Sequence, residues 1–166
     1  MLVLLVRHAK AEQRTLLGLG LKRDARRLTG AGRTRMRRVA KALNKLVPTL
    51  DVLAASPLVR ARETAEIIAG RYDDISVLDL VALSPGGSEQ ELLDWLREQH
   101  GDASVALVGH EPDLGLFASW LLSGRKLPFS PLRKGGACLI RFAETPAPGG
   151  GVLEWWLPPR LLDRLG

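Results

Sequence analysis

Residues 2–12 read LVLLVRHAKAE. The apolar run Leu2 to Val6 has the length of a strand buried on both faces, as strands in parallel sheets are. It ends abruptly in Arg7 and His8. The same arrangement returns twice: DVLAAS at 51–56 leads through Pro57-Leu58-Val59 to Arg60, and SVALV at 104–108 is followed by Gly109-His110. A further short apolar run covers 75–78. Helical periodicity follows these runs at about 30–47, 59–71, 88–99 and 113–123, which predicts an α/β fold with a mainly parallel sheet.

Local signals sharpen these elements. Thr29 is a helix N-cap, and Ser88 with Glu91 three residues later forms a capping box. Pro112 suits the first turn of the helix that follows. Strands near 136–142 and 152–157 flank the turn Pro146-Ala-Pro-Gly-Gly-Gly151 and are expected to form a hairpin at one sheet edge. The 166 residues suit one domain, 1–166, with one core.

Composition narrows the function classes. The single cysteine, Cys138, has no internal disulfide partner and is expected to be a buried apolar residue. Neither an export signal nor a membrane-length apolar run is present, so a cytoplasmic protein is expected. Of the net charge of +6, residues 22–45 carry ten basic side chains against Asp24 alone, a local +9; the other 14 basic and 17 acidic residues net −3. Arg33, Arg37, Lys41 and Lys45 lie at i, i+4 spacing opposite Met36, Val39, Ala40, Leu43 and Val47, the pattern of a solvated helix face. The alternative is a footprint for an acidic partner or nucleic acid. The four tryptophans form no ladder with the basic residues, which argues against a nucleic-acid stacking platform.

Parallel strands present their C-terminal ends on one edge, where open α/β sheets bind ligands. That edge should collect Arg7, His8, Arg60 and His110. Two histidines without further ligands make a poor metal site, and His100, before Gly101, reads as a helix-end residue. Arginine forks instead match phosphoryl oxygens. A histidine between them can attack phosphorus and divide one displacement into two. Neither a metal nor another cofactor is called for.

In this order the chain contains VRHAKAE, RDARRLTGAG, ASPLVRARETAE, LSPGG, LVGHEPDL and KGGA. The series resembles the histidine phosphatase superfamily, and most closely its short branch of SixA-type phosphohistidine phosphatases. The resemblance implies a phosphoglycerate-mutase-like, three-layer sandwich: a mainly parallel central sheet flanked by helices. It implies that His8 is the nucleophile, that Arg7 and Arg60 clamp the phosphate, and that His110 donates to the phosphoryl oxygens. The family's Arg-His-Gly triplet stands here as Arg7-His8-Ala9, which leaves attack by His8 open. Arg62 matches no required position and reads as helix surface. Thr29 and Gly32 belong to a helix start, and Ser56-Pro57 shapes the turn that aims Arg60. Lys134-Gly135-Gly136 reads either as a plain turn or as a cation brought to the phosphate.

Larger members of this family place a carboxylic acid where this chain reads LVALSPGGSEQELLDW. Glu89, Glu91 and Asp94 fall on a capped helix, where they complement its N-terminal dipole. A site without a dedicated acid suits an imidazole leaving group. The implied substrate is therefore protein phosphohistidine, as in a histidine-containing phosphotransfer domain. Two alternatives remain: a phosphatase for a small phosphorylated metabolite, with Glu89 or Glu91 as acid, and a non-catalytic module that binds through region 22–45.

Overall fold

The computed structural model describes residues 1–13, 25–128 and 130–166. Lys22, Arg23 and Asp24 of the basic region lie outside the described residues. Six strands form one sheet: β1 (Leu2–Arg7), β2 (Val52–Ala55), β3 (Val77–Asp79), β4 (Ser104–Gly109), β5 (Ala137–Arg141) and β6 (Val152–Leu157). Their order is β3-β2-β4-β1-β5-β6. β1, β2 and β3 join through β4 and β2 in parallel pairs, while β5 runs antiparallel to β1 and β6 antiparallel to β5. The late hairpin thus occupies a sheet edge, as the sequence indicates.

Alternation along the central strands builds two cores. Leu4 and Val6 of β1 face one side with Leu53, Ala55, Ala106 and Val108. That side is covered by α1 (Gly30–Leu46), α2 (Val59–Ala69) and α5 (Pro159–Leu165). Val3 and Leu5 face the other side, under α3 (Glu89–Arg97) and α4 (Asp113–Ser123). The result is the three-layer sandwich expected. Met36, Val39 and Leu43 of α1 are almost wholly buried, each contributing about 1.5–3 kcal/mol relative to exposure.

Thr29 caps α1 by accepting from the Gly32 N–H at 3.0 Å, and Ser88 caps α3 by accepting from the Glu91 N–H at 3.2 Å. Elsewhere the ends move. β3 begins at Val77 rather than residue 75, α2 stops at Ala69, and α3 stops at Arg97. His100 is therefore not a helix-end residue; its carbonyl accepts from Ala103 in the turn that leads into β4. Helix α5 was not anticipated, although Pro159 in its first turn is a start signal. Cys138 is buried in β5, and burial pushes its thiol pKa up. No helix among the described residues is long and apolar enough to cross a membrane.

Candidate active site

The register of β1 against β4 brings the two histidines together. Arg7 pairs with Gly109, and the next residue, His8, donates its N–H to the Gly109 carbonyl at 3.0 Å. The His8 and His110 rings lie 5.1 Å apart between centroids, tilted by 54°. β2, on the side of β4 away from β1, is followed by Ser56, whose N–H reaches the Val108 carbonyl. Ser56 Oγ accepts from the Leu58 N–H at 3.3 Å, shaping the turn into α2. The second residue of α2 is Arg60, which is buried. The structure therefore gathers Arg7, His8, Arg60 and His110 at the C-terminal sheet edge.

The two imidazoles are held differently. His8 Nδ1 lies 2.7 Å from the Ala9 carbonyl oxygen. A carbonyl only accepts, so Nδ1 carries the proton and Nε2 keeps its lone pair. Ala9 itself is fixed by its N–H to Thr64 Oγ1 at 3.0 Å, and Thr64 donates to the Arg60 carbonyl. His110 Nε2 lies 2.9 Å from Ser56 Oγ, while its Nδ1 is buried without a partner among the described residues.

Burial lowers the His8 pKa to about 4, aided by the positive charges of Arg60, Arg7 and Lys134 and opposed by the bond to Ala9. Burial likewise lowers His110 to about 3, with Arg60, His8, Arg26 and Arg7 adding to the effect. Both rings are neutral at physiological pH.

Several further groups converge here. Arg7 donates to the Leu132 carbonyl at 2.8 Å, and the Leu132 N–H donates to Glu111 Oε1 at 2.8 Å, so the backbone of one residue links the arginine to a carboxylate. The Gly135 N–H meets the Arg7 and His8 carbonyls. Lys134, in the same turn, lies close enough to the site that burial, Arg7, Arg26, Lys10 and Arg60 all lower its pKa. The Lys-Gly-Gly segment is thus both a turn and a carrier of a cation.

Arg26 was not singled out from the sequence. The segment before α1 is fixed by Glu63, a buried carboxylate of α2. Glu63 accepts from the Leu28 N–H at 2.7 Å and from Arg27 Nε at 2.9 Å, and it pairs with Arg33. Burial would raise its pKa, but these donors outweigh burial and hold it down. Residues 10–12 run beside 27–29, with an Ala11–Leu28 bridge. Arg26 stands next to this anchor, and its charge is felt at His110 and Lys134. The tight RRLT run after Asp24 was the available sequence signal.

Arg7 Nε, Arg26 Nε and His110 Nδ1 are buried donor or acceptor positions without a hydrogen-bond partner among the described residues. Buried polar atoms in this state are available to bond a ligand, and here their surroundings are cationic. Arg62, by contrast, pairs with Asp79 at 2.5 Å and lies near Glu66, as a helix-surface residue should. Glu91 is exposed at the start of α3. Glu89 lines a small pocket with His110, but its Oε2 is held by Lys126 Nζ at 3.0 Å. Among the described residues no group of three or more His, Cys, Asp or Glu side chains could hold a metal ion.

Comparison with known proteins agrees with this geometry. Residues 3–83 match the model of the histidine phosphatase superfamily (branch 1). An uncharacterized protein of Picosynechococcus is 38% identical over 118 residues, covering 70% of this chain and 72% of the relative. Among solved structures, the protein histidine phosphatase SixA complexed with tungstate superposes with a TM-score of 0.83 at 24% identity, covering 98% of this chain and 99% of that one. An H9A mutant phosphoserine phosphatase of Entamoeba histolytica, in complex with phosphoserine, has a TM-score of 0.70 at 19% identity, covering 96% and 98%. At these identities the superpositions establish the fold, and the sequence matches establish the descent: the chain belongs to the histidine phosphatase superfamily (branch 1).

Proposed function

We propose that this protein is a phosphatase that removes the phosphoryl group from protein phosphohistidine through a covalent intermediate on His8. The observation that carries the reading is the bond from His8 Nδ1 to the Ala9 carbonyl, which leaves Nε2 as the ring's nucleophilic nitrogen beside a cluster of cations. In the first step the Nε2 lone pair forms a bond to phosphorus as the bond from phosphorus to the leaving nitrogen breaks; solvent protonates the departing imidazole. In the second step water attacks phosphorus, the bond to Nε2 breaks and inorganic phosphate leaves. Arg7 and Arg60 balance the equatorial charge, with Arg26 as a third guanidinium and His110 Nδ1 as a donor to the phosphoryl oxygens. Positive charge supplied by arginines takes the place that a metal ion fills in other phosphoryl-transfer sites.

The substrate assignment draws support from Glu89 and Glu91: one is committed to Lys126 and the other faces solvent. Neither is positioned as a dedicated acid, and an imidazole leaving group has least need of one. Glu89 does share a small pocket with His110, and this favours the second reading, a phosphatase for a small phosphorylated metabolite. The deciding experiment is rapid-quench trapping with a phosphohistidine-bearing protein, in parallel with phosphoserine and sugar phosphates. Acid-labile, base-stable label should accumulate on the wild-type protein and be absent from His8→Ala. Normal turnover by His8→Ala would overturn the mechanism, and preference for alkyl phosphates would move the assignment to the small-metabolite reading.

A further inference from the structure

Basic residues around α1 and the mouth of the site fall into three groups. Arg27 and Arg33 hold Glu63, Arg35 and Arg38 share Asp163 of α5, and Lys45 donates to the Leu165 carbonyl. These have structural partners within the fold. Arg37 and Lys41 point to solvent from α1. Lys10, Arg26 and Lys134 make no ion pair among the described residues, yet they stand together at the mouth of the site: Lys134 feels the repulsion of Lys10, Arg26, Arg7 and Arg60. Lys10 and Lys134 therefore add positive charge beside a site whose ligand, one phosphoryl group, brings at most about two negative charges. The remaining positive charge faces a groove.

That groove, about 370 Å³ in volume, starts at Ala9, directly after His8, and runs between Lys134-Gly135 and the exposed side of α1. Lys10, Arg35, Arg38 and Lys134 line it; Arg35 and Arg38 share Asp163 of α5, while among the described residues Lys10 and Lys134 have no ion-pair partner and no acidic side chain lines the groove. Ala31 and the methyl group of Thr34, both exposed, supply apolar surface among the charges, and among the described residues no aromatic side chain lines the groove. Apolar surface among cations suits the aliphatic stems and carboxylates of Asp and Glu, whereas nucleic-acid bases would find nothing to stack on.

We propose that this groove binds an acidic stretch of polypeptide next to the phosphorylated residue of the substrate protein, so that substrates are chosen by the charge of their flanking sequence. The inference rests on the protein-substrate reading of the site and adds to it a surface, Lys10, Arg35, Arg38 and Lys134, with a defined partner chemistry. Electrostatic complementarity of this kind acts on encounter and selectivity, so it should appear in kcat/KM and weaken with salt.

The test uses two phosphohistidine peptides that differ only in flanking residues, Asp/Glu in one and Asn/Gln in the other, with the matching phosphoserine pair beside them. The wild-type protein should favour the acidic peptide by about tenfold in kcat/KM at low salt, the combined effect of two or three partly exposed ion pairs. Half-molar salt should erase most of that ratio. Lys10→Glu should abolish or invert it, and Lys41→Glu, on the solvent side of α1, should leave it unchanged. Because the readout is a ratio, a general loss of activity in Lys10→Glu does not disturb it. Equal rates for acidic and neutral peptides, or a ratio untouched by Lys10→Glu, would overturn the proposal. Should only the phosphoserine pair be turned over, the phosphohistidine assignment fails while the charge ratio on that pair still decides the groove. Turnover of small phosphates with no peptide accepted would refute both.

Discussion

Ser56 Oγ and His110 Nε2 lie 2.9 Å apart, joining the segment after β2 to the segment after β4 at the candidate site. The serine hydroxyl also accepts from the Leu58 N–H, so its own proton is free to point at the imidazole. With Nε2 satisfied in this way, the remaining ring proton sits on Nδ1, the nitrogen without a partner among the described residues. Ser56 is thus a positioning residue for the donor assigned to His110. In Ser56→Ala we expect kcat to fall by about tenfold to a hundredfold with little change in KM, the scale of a lost buried hydrogen bond. Imidazole 15N shifts should show His110 losing its single tautomer; unchanged shifts with reduced kcat would mean that the serine acts otherwise.

The histidines also make stability depend on pH. Both folded pKa values, about 4 and about 3, lie below the ordinary histidine value of 6.5. Between these limits the unfolded chain binds more protons than the folded one, so stability is full above pH 6.5 and falls as pH drops below it. Each ring contributes a slope of up to about 1.4 kcal/mol per pH unit in that window. Chemical denaturation at pH 7.0 and 5.0 should show a loss on the order of 2–4 kcal/mol. The loss should shrink in His8→Asn/His110→Asn, which has no imidazole to charge at either position. An equal pH dependence in that double variant would place the effect elsewhere.

Glu63 offers a test of how Arg26 is placed. Removing its charge leaves Arg27, Arg33 and the Leu28 N–H with a weakened partner, so Glu63→Gln should destabilise the fold by about 2–4 kcal/mol. Tungstate, measured calorimetrically as a phosphoryl mimic, should bind about tenfold more weakly, on the scale of one charge-assisted bond. Arg26→Ala should weaken it similarly. The two effects should not add, because Glu63 acts on the anion through Arg26. Full additivity would separate the residues.

The parts of the site that were legible in the sequence are those fixed by a strand end. His8, Arg60 and His110 follow apolar runs whose parallel pairing forces them to one edge, and Thr29 is read from its position before a periodic segment. Glu63 was invisible for the opposite reason. It sits in an ordinary helical stretch, RARETAE, and its role comes from a chain segment 35 residues earlier in sequence that folds back against it. Ser56 was read as a turn former, and its hydrogen bond to Leu58 supports that. Its second bond, to a residue 54 positions away, exists only once β2 and β4 pair. Lys134 could be read as turn or as ligand, and the sheet makes it both, because its turn docks on the end of β1.

The last prediction concerns the leaving group. Glu89 shares a pocket with His110 but is bonded to Lys126, which in turn lies 4.9 Å over the Trp120 ring. Its Oε2 is thus engaged by Lys126 and is not presented to a leaving-group atom. Rates should therefore depend steeply on leaving-group pKa, with phosphoramidates and activated aryl phosphates far ahead of alkyl phosphates. A positioned acid is typically worth about 10²–10⁴-fold, which is the size of the deficit expected on alkyl esters. Glu89→Gln and Glu91→Gln should leave turnover of phosphohistidine nearly unchanged, and chelators should not reduce it. Lys126→Met tests the same point from the other side: it releases Glu89 Oε2 within the pocket shared with His110 and should improve alkyl ester hydrolysis. If instead Glu89→Gln lowers alkyl phosphate hydrolysis a hundredfold in the wild-type background, Glu89 is the general acid despite Lys126, and the small-metabolite reading replaces the phosphohistidine one.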